Sequence, residues 1–92
     1  MAKAHTQIVY GDKGLTLAAL NMLVSQQEGQ HGPLIAVGHT EQQTMLTFDS
    51  YSDIPEKNAV IAEAPKTGNP PNTVCVGNAF VEGKIVAVVA TR

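Results

Sequence analysis

The stretch from about Asp12 to Gln27 is the one segment with helical periodicity, and it is apolar almost all the way round. At ~100° per residue, Leu15, Ala18, Ala19, Met22 and Leu23 make one face, and Leu17, Leu20 and Val24 make a second on nearly the opposite side. Gly14, Asn21, Ser25 and Glu28 form the clear polar stripe. A chain of 92 residues with no second helical segment cannot cover both faces unless its sheet wraps far round or another subunit contributes. An assembly is therefore expected. Leu15, Ala19, Met22 and Leu23 are assigned to the chain's own sheet and Leu17, Leu20 and Val24 to a partner, or the reverse.

The length suits a single domain, residues 1–92, and no shift in composition marks a boundary. Hydrophobic residues make up 43% of the chain but aromatics only 4%, so its core buries little area per residue and a lone monomer has modest stability. Six Lys and Arg stand against eight Asp and Glu. The cations, Lys3, Lys13, Lys57, Lys66, Lys84 and Arg92, assemble into no basic stripe, which disfavours nucleic acid as a partner. Cys75, alone, excludes an internal disulfide and fits a reducing compartment. Residues Met1 to His5 lack the apolar core of a signal peptide, and no apolar run is as long as a membrane span. The expectation is a soluble, cytoplasmic protein without a membrane partner.

Around the helix the chain reads as strands. Thr6 to Tyr10 is a first strand ended by Gly11-Asp12, with Asp12 as helix N-cap. Gly29 is the expected C′ residue, and His31-Gly32-Pro33 turns the chain back. Pro33 to His39 and Thr44 to Ser50 make a hairpin across Thr40 to Gln43, with Leu46 and Phe48 on one side and Met45, Thr47 and Asp49 on the other. A polar loop from Tyr51 to Asn58 leads to a short strand, Ala59 to Ala64. After a stiff loop, Lys66 to Asn72, Thr73 to Val81 and Lys84 to Thr91 form a hairpin at Glu82-Gly83. Ile85 to Ala90 is apolar on both faces, the pattern of a mid-sheet strand. The fold class is α+β, one helix packed on a mainly antiparallel sheet in the order β-α-β-β-β-β-β; a small β-barrel with one helix is the alternative.

Chemistry is thinly marked. Gly11-Asp12-Lys13-Gly14 sits where a strand passes to a helix start, a place where free amides hold anions, with Lys13 as counter-charge. An ordinary tight turn capped by aspartate explains the same residues. His5, His31 and His39 lack metal-ligand spacing, so no metal or cofactor is expected. Cys75 lies in an apolar strand and reads as core. Asp49, Asp53 and Glu56 read as solvated acids, while Glu63 in its apolar strand either faces water or needs a partner. The Asn69-Pro70-Pro71-Asn72 loop offers rigid amides suited to binding.

The favoured reading is a non-enzymatic, homo-oligomeric binding protein. It holds a small polar or anionic ligand, or a partner protein, in subunit clefts lined by Gly11, Asp12, Lys13, Gly14, Gly68, Asn69 and Asn72. A structural assembly subunit of shell or capsid-decoration type is the alternative. A small enzyme using Asp49, His39 or Cys75 across subunits ranks third, since no nucleophile, base and orienting group stand in a convincing arrangement.

Overall fold

The computed structural model describes residues 5–11, 14–50 and 57–92. The elements are β1 (Thr6–Tyr10), α1 (Leu17–His31), β2 (Leu34–Thr40), β3 (Gln43–Phe48), β4 (Val60–Glu63), β5 (Thr73–Val81) and β6 (Lys84–Thr91), an α+β fold in the expected order. Among the described residues the strands divide into two three-stranded antiparallel sheets, β1-β3-β2 and β4-β6-β5, and no barrel closes. Thr44, Leu46 and Phe48 of β3 are buried while Met45 and Thr47 are half-buried, the alternation read from the sequence. β6 lies in the middle of its sheet, as its two apolar faces imply. The β2–β3 turn is tighter than expected, because Thr40 pairs directly with Gln43 and leaves only Glu41 and Gln42 between the strands.

The sheets meet where β5 passes over β2. A Cβ on Gly77 would stand 1.9 Å from the Val37 carbonyl oxygen, so the two backbones touch at a point only glycine fits. A second tie joins β3 to β5. The buried Thr44 hydroxyl donates to the Phe80 carbonyl at 2.6 Å and accepts from the Phe80 N–H at 2.9 Å, satisfying both backbone groups without a ladder.

The helix starts and ends later than its apolar periodicity suggests. Thr16, in extended conformation, accepts from the Ala19 N–H at 3.1 Å and is the N-cap in place of Asp12. Leu15 precedes the helix at N′ and shares the core with Leu20 at N4, the positions of a hydrophobic staple, which is why it fits the helical pattern without being helical. At the other end His31 is still helical, and Gly32 rather than Gly29 terminates, at φ 95° with its N–H bonded to the Glu28 carbonyl. A Cβ on Gly32 would stand 2.1 Å from the Asp49 carbonyl oxygen.

The helix faces are largely reversed from the first assignment. Leu20 and Val24 are fully buried in the chain's own core, whereas Met22 is 75% exposed and Ala19 and Leu23 are only half-buried. The cause is that Asn21 and Glu28 of the polar stripe turn toward the rest of the chain beside Leu20 and Val24. The Asn21 side-chain amide donates to the Ile61 carbonyl at 2.8 Å and accepts from the Ile61 N–H at 2.6 Å, pairing with β4 as a neighbouring strand would. Asn58 donates to the Ser25 hydroxyl at 2.9 Å. Glu28, 0% exposed, accepts from the Ala59 N–H at 2.9 Å, the Leu34 N–H at 2.7 Å and the Arg92 guanidinium at 2.9 Å.

Truncating the two helix faces therefore has unequal effects. In urea denaturation Leu20→Ala should cost about 3 kcal/mol through lost burial and a residual cavity, while Met22→Ala should stay within about 0.5 kcal/mol. Leu20→Asp should unfold the chain, since it places a charge in the fully buried core. Gly77→Ala should cost about 2 kcal/mol by forcing β5 away from β2.

Candidate functional site

Of the expected ligand-lining residues, Asp12 and Lys13 lie outside the described residues, as do Asp53 and Glu56. Gly11 ends β1 and lines a shallow cleft of about 380 Å³ with Thr40 to Gln43 of the β2–β3 turn. Gly14 is exposed and precedes the helix cap, so the turn it belongs to is separated from the helix N-terminus by Leu15 and Thr16. Gly68 and Asn69 are exposed in the loop between β4 and β5. Asn72 lines a different cleft, with Lys57, Thr73, Val74 and Arg92. Within one chain the two candidate segments thus line separate clefts.

The cleft at Asn72 is held by the chain's best-anchored charged pair. Arg92 donates through Nη2 to buried Glu28 and through Nη1 to the Lys57 carbonyl at 2.5 Å, and its backbone N–H reaches the Asn72 carbonyl at 3.2 Å. Asn72 itself adopts φ 65°, the left-handed conformation that asparagine tolerates in turns. Thr73 is tied down by donation from its hydroxyl to the Pro70 carbonyl at 2.5 Å. Sequence reading picked out Asn72 and missed Lys57 and Arg92, which come from distant parts of the chain and carry no local motif.

The residues considered for catalysis are not brought together. His39 pairs with Thr44 at one end of β3, whereas Asp49 follows Phe48 at the other, an extended separation of ~17 Å at ~3.3 Å per residue. His39 Nδ1 lies 3.0 Å from the Thr40 carbonyl, and Asp49 is 3.6 Å from His5. Cys75 stands on the other sheet opposite Ala90, half-buried, and burial pushes its thiol pKa up while the charge of Arg92 partly opposes that. Glu63 is exposed, so its carboxylate faces water. Among the described residues no three His, Cys, Asp or Glu side chains gather as a metal-ligand set, and no helix is long and apolar enough to cross a membrane. The Tyr10 hydroxyl is buried without a hydrogen-bond partner among the described residues, and desolvation raises its pKa.

The most distinctive surface is the outer face of β4-β6-β5. The register places Ala62, Val89 and Val76 in one row across it, Asn78 with Ala87 in the next and Phe80 with Ile85 beyond, while Val60 sits beside Thr91. The opposite face carries Ile61, Val88, Ala90, Ala79 and Val81, all buried in the core. On the outer face Val76 is 57% exposed, Val60 54% and Ile85 51%, and none of these positions holds Asp, Glu, Lys or Arg. A half-solvated antiparallel sheet ordinarily turns polar residues outward. This one does not.

Comparison of the chain with family models, with curated proteins and with solved structures yields no match. The thiol offers a direct check on the site geometry. Iodoacetamide should label Cys75 more slowly in the folded than in the urea-unfolded protein, and the folded rate should keep rising with pH beyond the ordinary thiol range of ~8.5. Equal rates in both states would place Cys75 in open solvent.

Proposed function

We propose that the chain is a non-enzymatic, homo-oligomeric binding protein of the cytoplasm, with the outer face of β4-β6-β5 as a subunit interface and a small polar or anionic ligand, or a partner protein, held beside it. The observation that carries this reading is the uncharged sheet face on which Val60, Val76 and Ile85 stand more than half exposed. Contiguous apolar patches of this kind mark interaction surfaces. The uncharged face also has an uncharged complement at hand, its own copy.

The energetics favour reversible association. Completing the burial of a half-exposed Val or Ile contributes on the order of 1 kcal/mol. With three such side chains on each of two copies the gain is on the order of 6 kcal/mol, within the range of the cost of association itself. The face thus supports an equilibrium between free and associated chains.

A structural assembly subunit is the second reading, favoured by one observation. Val9 and Ile35 are exposed on the two outer strands of the other sheet, so apolar side chains are available for contact on both sheets. Light scattering coupled to size exclusion, run over a concentration series, separates the readings. The binding protein should reach one defined small multiple of the 9.7 kDa chain, whereas a construction subunit should give large or polydisperse particles. Val76→Lys combined with Ile85→Lys should yield a folded monomer with an unchanged far-ultraviolet spectrum. A native chain that stays monomeric throughout overturns the proposal.

A further inference from the structure

We infer that the cleft formed by Lys57, Asn72 and Arg92 binds a small oxyanion. It deepens the preceding reading by naming a ligand class, but every wall of the cleft comes from one chain, so it does not need association to form. The cleft measures about 430 Å³ and brings together two of the six cations of a chain whose net charge is −2. In a protein with so few charges, that convergence sets this surface apart from the clefts at Gly11 and on the outer side of the helix, neither of which is lined by a cation.

The donors are prepared in advance. A guanidinium carries five N–H donors in a rigid plane. Arg92 is held by Glu28 on one nitrogen and by the Lys57 carbonyl on the other, and its side chain keeps 21% of its surface exposed. Fixing the plane before binding removes an ordering cost that a free arginine would bear on complex formation. Glu28 offsets the charge of Arg92, so the net positive charge facing solvent is that of Lys57, which pairs with no carboxylate among the described residues. Asn72, exposed and held at φ 65°, adds an amide donor, and its own carbonyl is already occupied by the Arg92 N–H. Neutral, planar and ammonium donors of this kind suit a carboxylate or phosphate oxygen, and Val74 supplies an apolar wall for a short substituent.

Amide NMR titration of the full chain with inorganic phosphate and, separately, with acetate tests the inference, using chloride at matched ionic strength as control. Saturable shifts centred on Lys57, Asn72, Thr73 and Arg92 are expected with at least one anion. The acetate arm identifies carboxylate chemistry and the phosphate arm tetrahedral chemistry. Lys57→Gln and Asn72→Asp, neither of which touches Glu28, should each weaken binding about tenfold. The same titration on the Val76→Lys, Ile85→Lys double variant should give the native affinity, which keeps this result separate from the question of assembly. Shifts that match chloride, fail to saturate or survive Lys57→Gln unchanged would overturn it.

Discussion

Glu28 is the residue on which the arrangement of elements depends. Its carboxylate, wholly removed from water, receives N–H groups from Leu34 and Ala59 and the guanidinium of Arg92, so it joins the end of the helix to the starts of β2 and β4 and to the residue after β6. Burying a charge carries a heavy desolvation cost, and three good donors on two oxygens are what make it tolerable here. Such a group contributes more to uniqueness than to net stability. Any alternative packing of the helix strands the carboxylate without its partners, a loss of about 3–5 kcal/mol.

That role explains which parts of the fold were legible in the sequence. The strands were, because Thr44 to Phe48 alternates and Ile85 to Ala90 does not, and both patterns follow directly from one-sided and central burial. The helix was found but misplaced at both ends. Leu15 belongs to the apolar pattern as a staple, and Thr16 and Gly32 are told from Asp12 and Gly29 only by where tertiary neighbours lie. Its orientation was hidden for a deeper reason. Asn21 and Glu28 look like a solvent stripe until their backbone partners are known, Ile61 and Ala59 far along the chain and Leu34 just beyond the helix. Lys57 and Arg92 were invisible as a pair on the same grounds, and Gly77 carried no turn signal to betray the close approach of β5 to β2.

The chain's excess of apolar surface lies on a sheet more than on the helix. The chain's own core absorbs Leu20 and Val24, and Met22 remains as the one exposed large apolar side chain among the helix residues. The larger exposed surface is on the outer side of β4-β6-β5, where Val60, Val76 and Ile85 are half open to solvent. Sparse charge shows there in one place: the face exposes branched aliphatic side chains and, among the described residues, has no ionic group to dictate a partner of opposite sign.

The pairing of Asn21 with Ile61 bears on how such a chain stays in solution. A three-stranded sheet that is apolar on its outside and open along its sides is a template for endless stacking, since each free row of N–H and C=O groups invites another strand. Along β4 that row is already answered by a carboxamide from the helix, a mimic of the peptide group that cannot itself be extended into a further strand. Contact through the flat of the sheet is then decoupled from growth along this margin. An asparagine in a helix thereby acts as a guard against fibre formation by an otherwise sticky surface.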